Sequence, residues 1–360
     1  MASISPLVVE IKRSLAMSDQ QVGLLSTIPI VLMGILSLAG GKIQHVLGTN
    51  KGIIIGLICI SGGLFLRGID GNGDSLIATA FLCGIGVALE QILIPVFIRT
   101  QFRRSSSVVM SLYSTSIMMG AALSAALASP LTQWSGWRHA LSSWGWLSLI
   151  ALCVWFSVPY LRIQNVQEAS DNAPKSPIDG YSWRLMTIFG IGTAAYTLIL
   201  AWLPTFYVRQ GWPESKAGYL LATLTAIEVV AGFIVSLALG KFRDRRPLFV
   251  ISTMVLAVGI ITMLVLPAWY GATVVLLGLG VGALFPLSLV ITADYSKNAG
   301  DMARLIGFVQ GGGYIIAACM PYFGGLLHDR TGSSSGIWGV MLCFCPILFL
   351  LCRGIKQPLS

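Results

Sequence analysis

The chain has 360 residues, of which 55% are hydrophobic and only 10% are charged, and its mean hydropathy is +0.81. Soluble domains carry about 25% charged residues, so this composition excludes an ordinary soluble protein and favours one whose solvent is the lipid bilayer. The net charge of +9 does not indicate a nucleic-acid partner, because the basic residues lie in short loops between apolar runs, as in membrane proteins.

In chain order, eleven apolar runs are long enough to predict membrane-spanning helices. The predicted spans are residues 22–38, 53–66, 76–98, 108–127, 140–161, 185–208, 218–239, 248–266, 272–293, 305–327 and 337–352. The runs are continuously apolar, whereas the strands of a transmembrane barrel alternate between apolar and polar residues. The sequence therefore predicts an all-α membrane protein.

The longest polar stretch, residues 162–182, contains two prolines and several acids and predicts a linker. It divides the chain into an N-terminal bundle (1–161) and a C-terminal bundle (183–360). Most of the 23 Lys and Arg residues lie on one side if the N-terminus is placed outside. The positive-inside rule then predicts a multi-pass protein with a cytoplasmic linker and a cytoplasmic C-terminus.

The two predicted bundles resemble each other. Three glycine-containing segments match in order and spacing between the halves, and their paired glycines are Gly23 with Gly218, Gly41 with Gly240, and Gly84 with Gly278. Parallel repeats of this kind are found in membrane transporters. The repeat predicts six helices in each half, with only the outer end of the first helix kept in residues 2–9; an odd number of helices is the alternative.

Four stretches resemble the cyanate transporter branch of the major facilitator superfamily, which also contains 2-nitroimidazole exporters. They read SISPL (3–7) with GLLSTIP (23–29), AWLPTFY (201–207), GVGALFPL (280–287) and QGGGYIIAA (310–318). The resemblance extends over essentially the whole chain. It implies two pseudo-symmetric bundles, twelve helices in the family against eleven here, a monomer, alternating access, and a bacterial plasma (inner) membrane.

The chain departs from the family in two places. The Arg-Pro pair expected in the first helix is absent. The loop motif GxxxDRxG is divided between two loops that the resemblance implies are gating loops: the first retains its glycines but has His where Asp is expected, and the second retains the acid and the bases. The gating candidates are Gly41, Lys42, His45 and Gly48 in the first loop, and Gly240, Asp244, Arg245 and Arg246 in the second. The second loop is either a latch, with Asp244 pairing across the bundle, or a simple inside anchor.

Two acids lie deep in the predicted spans, Glu90 and Glu228. An ionisable group inside the bilayer is costly and usually faces a cavity or a partner. Because they lie on different halves, as a site between bundles requires, we expect them to bind a proton or the solute. The alternative is a structural hydrogen bond to a neighbouring helix.

Further polar candidates for the solute or proton pathway are Gln91, Tyr196, Gln310 and Tyr314. Gln91 follows Glu90 directly, and Gln310 and Tyr314 are four residues apart on one helix face. Hydrogen bonding between helices is the alternative role. No Lys or Arg lies deep in a predicted span, so a cation, a neutral azole or proton antiport fits about as well as an anion.

These features predict a secondary active transporter of a small polar or anionic, cyanate-type solute, coupled to protons. The alternatives are an exporter of nitroimidazole-like or other small drugs, and a truncated relative that does not transport. The expected partners are a small-molecule solute, protons and lipid. Neither a Walker A motif, an HExxH motif nor a Cys-x-x-Cys pair occurs, so we expect no enzyme activity, cofactor or metal.

Overall fold

The computed structural model describes residues 3–4, 7–17, 19–69, 71–102, 105–157, 178–242, 244–296, 299–331 and 335–355. These residues form helices and no strands. The helices are α1 Val8–Leu15, α2 Asp19–Leu38, α3 Gly40–Leu47, α4 Thr49–Leu66, α5 Gly73–Gln101, α6 Ser106–Ser142, α7 Trp144–Ser157, α8 Gly180–Arg209, α9 Glu214–Lys241, α10 Arg246–Val265, α11 Tyr270–Tyr295, α12 Ala299–Thr331 and α13 Ser335–Cys352. The predicted all-α membrane fold is confirmed.

Each of the eleven predicted spans overlaps one of the longer helices. Within the described part of the chain, eight helices are long and apolar enough to cross a membrane, or up to ten if each of two bent pairs counts as one span. The apolar helix Gly336–Cys352 is shorter. In lipid a helix is favoured because it pairs all of its backbone polar groups internally.

The bent pairs show what the hydropathy pattern missed. Thr27–Leu38 and Gly40–Leu47 meet at 77°, and Pro130–Ser142 and Trp144–Ser157 meet at 43°. The second break lies inside the predicted span 140–161, whose last four residues are outside the described part of the chain. Near it, Gly136 has φ 78° and ψ 160°, a conformation that glycine adopts without the steric cost of a Cβ atom.

The chain divides into two compact units. The first contains Met1–Gln101, Gly120–Pro177 and Lys297–Gly311, and the second contains Phe102–Met119, Ile178–Ser296 and Gly312–Ser360. Helix α12 therefore contributes to both units. The predicted linker, residues 162–182, lies outside the described residues except for its last five.

In the first unit, glycines of α5 bring three helices together. A Cβ atom added at Gly84 would lie 2.9 Å from the Cα of Pro29 on α2. One added at Gly86 would lie 2.6 Å from the carbonyl oxygen of Gly56 on α4. Small residues at such positions allow helix backbones to approach closely, and this holds α2, α4 and α5 together.

The second unit has the same arrangement on α11. A Cβ atom at Gly278 would lie 3.0 Å from the carbonyl oxygen of Leu224 on α9, and one at Gly280 would lie 2.7 Å from the Cα of Leu256 on α10. The glycines that the sequence repeat pairs thus face equivalent helices. The Gly-x-Gly-x-Gly run of α11 is a packing element and not a nucleotide-binding loop.

Candidate functional site

Glu228 lies at the middle of α9 and is 1% exposed. Its backbone packs against α11, where a Cβ atom added at Gly282 would lie 2.5 Å from the Cα of Glu228. Among the described residues, the carboxylate oxygen Oε1 has no hydrogen-bond partner. The close contact with Gly282 fixes the position of the acid, and Oε1 lacks a donor among the described residues.

Tyr196 lies on α8, which packs on the helix α9 that carries Glu228. The negative charge of Glu228 is close enough to act on the Tyr196 hydroxyl. Of the residues predicted to line the pathway in the second unit, these two therefore form one group.

Glu90 occupies a similar setting in the first unit, between α4 and α5. It is 8% exposed, and a Cβ atom added at Gly56 would lie 2.5 Å from its Oε1. Neither carboxylate oxygen has a hydrogen-bond partner among the described residues. The carboxyl group therefore lies against the glycine face of α4. The sequence gave no indication of this contact.

An ionised carboxylate in either setting is unfavourable. Removing a charge from water costs several kcal/mol even after relaxation, and among the described residues no hydrogen-bond donor offsets this cost at either carboxylate oxygen of Glu90 or at Oε1 of Glu228. The neutral, protonated acid is the form that these surroundings accept. A change that admits water to either carboxyl group would favour release of the proton.

The predicted amides are also buried. Gln91 is 6% exposed and Gln310 is 1% exposed, and the carbonyl oxygen of each lacks a hydrogen-bond partner in the described part of the chain. Gln91 adjoins Glu90 on α5. Gln310 belongs to the first unit. These groups are polar and able to accept a hydrogen bond from a solute.

Tyr314 shares α12 with Gln310 but belongs to the second unit. It is 8% exposed, and its ring packs edge-on against Phe189, with centroids 5.3 Å apart. The ring of Phe189 in turn lies 5.7 Å from that of Phe285. The structure thus places Tyr314 in an aromatic group of α8, α11 and α12.

The second predicted gating loop contains a buried ion pair. Arg245 Nε lies 3.3 Å from Asp294 Oδ2, and the two side chains are 9% and 10% exposed. Ser107 on α6 links both: it accepts a 2.9 Å hydrogen bond from Arg245 and donates a 3.3 Å bond to Asp294. Arg245 also donates to the carbonyl oxygens of Leu239 and Phe242. This network joins the α9–α10 loop to the end of α11 and the start of α6.

Asp244, the acid that the sequence suggested for a latch, does not hold this position. It lies 3.9 Å from Arg246 Nε, with both side chains about 40% exposed, and it accepts from the Arg246 backbone nitrogen at 3.0 Å. The Asp244 carboxylate thus caps the first backbone N–H group of α10. A Cβ atom added at Gly240 would make only ordinary van der Waals contact with Val108. The acid of the network is Asp294, which sequence reasoning missed although it is an acid in the last turn of an apolar helix.

The first predicted gating loop is built differently. It forms α3, which begins after the 77° bend and ends at Gly48, whose φ of 69° favours glycine. Lys42 and His45 are exposed. A Cβ atom at Gly41 would lie 3.3 Å from the Cβ of Arg304 on α12, so the first glycine of this motif serves close packing.

No group of three or more His, Cys, Asp or Glu side chains within the described ranges could hold a metal ion. The chemistry of the site therefore rests on the buried carboxyl, amide and phenol groups described above.

Comparison with known proteins agrees with this architecture. The model of the Major Facilitator Superfamily matches residues 1–302 and 214–359. The chain is 29% identical to the cyanate transport protein CynX of Escherichia coli (strain K12), covering 98% of this chain and 92% of that protein. It is 28% identical to the 2-nitroimidazole transporter of the same strain, covering 96% and 88%.

A solved structure shares the fold. The proton:xylose symporter XylE superposes with a TM-score of 0.82 at 12% sequence identity, covering 99% of this chain and 92% of that one.

Proposed function

The chain belongs to the major facilitator superfamily, and we propose that it moves a small polar or anionic solute of the cyanate type across the membrane, coupled to protons. The coarser description, a transporter with several membrane-spanning helices, follows from the family and from the apolar helices. We propose the identity of the solute class and the coupling of its movement to protons.

The relatives support the choice of solute class. One is a cyanate transport protein and another is a 2-nitroimidazole transporter. Cyanate is a linear monovalent anion, and 2-nitroimidazole is a small planar nitrogen heterocycle. Both are compact and polar. At identities of 28–29%, the similarity supports this shared class of small polar solutes and does not identify one compound.

The observation that supports proton coupling is the setting of Glu228. The residue is 1% exposed, its charge acts on the Tyr196 hydroxyl group, and one of its carboxylate oxygens has no donor among the described residues. Such a group retains its proton while it is closed off from water and releases it when water enters. Alternating access would therefore load and unload Glu228, and Glu90 in the first unit is suited to the same task.

We assign the gate of the second unit to the Arg245–Asp294–Ser107 network. It connects three helix ends of that unit through a buried charge pair and a shared hydroxyl group. A buried pair of this kind is stable when closed and costly to leave half-broken. It would therefore hold one state firmly and separate only as a whole.

Export of a nitroimidazole-like compound is the second candidate. The ring of Phe189 lies 5.7 Å from that of Phe285 and 5.3 Å from that of Tyr314, and a flat heterocycle stacks favourably on such rings. An aromatic solute would use these rings more than cyanate would.

The distribution of basic residues supports a cytoplasmic C-terminus, and the bacterial relatives support an inner-membrane location. We propose a monomer with bundles 1–161 and 183–360. Labelling of a single cysteine introduced near the C-terminus from either side of intact cells tests this topology.

Flux measurements test the function. The full chain in sealed membrane vesicles is given radiolabelled cyanate or radiolabelled 2-nitroimidazole, with and without an imposed pH gradient. We expect cyanate flux that rises with the gradient and that a protonophore abolishes. Flux of 2-nitroimidazole alone would favour the second candidate, and flux of cyanate that ignores the gradient would contradict proton coupling.

A further inference from the structure

One buried charge of the first unit has no role in the function proposed so far. Arg67 ends α4 and is 2% exposed. Within the described residues, Arg245 and Asp294 are also buried but pair with each other, whereas no carboxylate pairs with Arg67. An uncompensated buried cation is costly in a membrane protein, so it requires an explanation.

The hydrogen bonds of Arg67 leave most of its donors unused. Its Nε donates to Thr79 Oγ1 at 3.1 Å. Thr79 is held in place because its own hydroxyl donates to the Leu76 carbonyl oxygen at 2.7 Å. Arginine has five N–H donors, and the two terminal nitrogens, which hold all but one of them, bond to no described residue.

The packing of α4 on α5 explains why the guanidinium group lies here. A Cβ atom added at Gly63, one turn before Arg67, would lie 3.2 Å from the Thr79 carbonyl oxygen and 2.6 Å from Cys83 Sγ. This close approach brings Arg67 onto Thr79, and Cys83 lies near enough for an electrostatic interaction with Arg67. The polar group is therefore built into the contact between the two helices.

Glu90 lies in the same α4–α5 contact but is too distant to neutralise Arg67. Its carboxylate rests on Gly56, which precedes Arg67 by eleven residues on α4. At 1.5 Å per residue this is about 16 Å. The contact thus holds an acid and a base that do not pair.

We propose that Arg67 and Thr79 form a binding site for the small monovalent anion that the transporter carries, which rests on the proposed function. The guanidinium fork presents parallel N–H donors that suit planar or linear oxyanions. A bound anion would supply the missing negative charge. The site is closed in this structure, as one stage of an alternating-access cycle requires.

The burial of Arg67 differs from what the sequence predicts. Arg67 lies just beyond the predicted span 53–66, so hydropathy places it in an exposed loop. The predicted spans then contain no buried Lys or Arg that could bind an anion. The structure instead buries its side chain. The objection that an anion lacks a partner in this chain no longer holds.

Equilibrium binding to the purified full chain in lipid nanodiscs tests the proposal, with radiolabelled cyanate and nitrate as probes. The variants are Arg67→Met and Arg67→Lys. Arg138→Met is the matched control, because Arg138 also lies near this turn and donates to the carbonyl oxygens of Ile69 and Gly71, but is exposed. We expect Arg67→Met to weaken binding by about tenfold or more, which corresponds to the loss of one strong charge-assisted contact. Arg67→Lys should retain part of the affinity, and Arg138→Met should retain all of it.

Thermal unfolding of the same variants separates binding from folding. Replacing an unpaired buried charge by an apolar side chain of similar length is neutral or stabilising, so Arg67→Met should unfold at the wild-type temperature or above. A large drop in its unfolding temperature would overturn the proposal in favour of a structural role. Unchanged anion affinity in Arg67→Met would also overturn it.

The two proposals fail in different ways. Anion binding that requires Arg67, without any flux in vesicles, would leave the binding site standing and refute the transport function. Cyanate flux with the same KM in wild type and Arg67→Met would retain the transport function and refute the site.

Discussion

Two helix trios, α2–α4–α5 in the first unit and α9–α10–α11 in the second, share their packing but not their chemistry. Paired glycines contact equivalent helices in both. The acids, however, lie on non-equivalent helices. Counting from the paired glycines, the partner of Glu90 is Leu284 and the partner of Glu228 is Met33, both buried and apolar.

The loops differ in the same way. The position that pairs with Arg245 is Val46, which is 80% exposed, and the one that pairs with Asp294 is Thr100, which bonds to carbonyl oxygens of its own helix. The repeat thus preserves what helix packing requires. These four buried charged residues are each present in one copy only, where a specific task can account for their cost.

We expect the largest effect from breaking the buried Arg245–Asp294 ion pair. Among the described residues, the first trio has no equivalent pair. Arg245→Met leaves Asp294 buried without its partner, and such a change costs about 3–5 kcal/mol. We expect a large fall in unfolding temperature, measured by thermal denaturation in detergent. The double variant Arg245→Met with Asp294→Leu should recover much of the loss.

The exposed pair of the same loop is the control for this prediction. Asp244→Asn should change stability by about 0–1 kcal/mol, because solvent screens exposed ion pairs. An equal effect of Asp244→Asn and Arg245→Met would contradict the role assigned to the buried network.

The next largest effect is expected from replacing the glycines that contact the two acids. Gly282→Ala places a Cβ atom 2.5 Å from the Glu228 backbone, whereas Gly56→Ala places one 2.5 Å from the end of the Glu90 side chain. Overpacking costs about 1–3 kcal/mol, and only the side chain can move aside. We therefore expect Gly282→Ala to lower the unfolding temperature more than Gly56→Ala does.

A second substitution sharpens this comparison. Glu90→Ala removes the group that lies nearest to a Cβ atom at Gly56, so the double variant should recover most of the loss, except for the part caused by the Gly86 carbonyl oxygen at 3.2 Å. Glu228→Ala leaves the backbone in place and should not rescue Gly282→Ala. If the second substitution restored the unfolding temperature of both glycine variants, or of neither, the two acids would be packed against their glycines in the same way.

The smallest effect concerns the hydroxyl group beside Glu228, for which the first trio has no counterpart in the described residues. Tyr196→Phe removes one hydrogen-bonding group and retains the ring. The most that this hydroxyl group could donate to Glu228 during the cycle is one neutral hydrogen bond, worth about 0.5–1.5 kcal/mol, so gradient-driven flux should fall several-fold and not vanish. Flux at the wild-type level would separate Tyr196 from the function of Glu228.

Much of the fold was predictable from the sequence because lipid imposes a simple rule: a long apolar run must be a helix. The paired glycines of α5 and α11 were predictable as packing sites for a similar reason. The breaks at α2–α3 and α6–α7 were not, since hydropathy does not report where an apolar helix bends.

The candidate site was predictable only in part. Glu90 and Glu228 are visible as acids within apolar runs, and their burial follows. The burial of Arg67 and the pairing of Arg245 with Asp294 depend on how distant helix ends meet, which no local pattern encodes. Asp294 and Ser107 are ordinary polar residues at helix ends until the fold brings them to Arg245.

The central claim is that Glu228 couples solute movement to proton movement. Proteoliposomes that contain the wild-type chain, Glu90→Gln or Glu228→Gln are loaded with a pH-sensitive dye, and cyanate is added outside. The account predicts a change in internal pH above the protein-free background for wild type, and none for Glu228→Gln although that variant still binds cyanate. A full-sized pH change in Glu228→Gln would contradict the account.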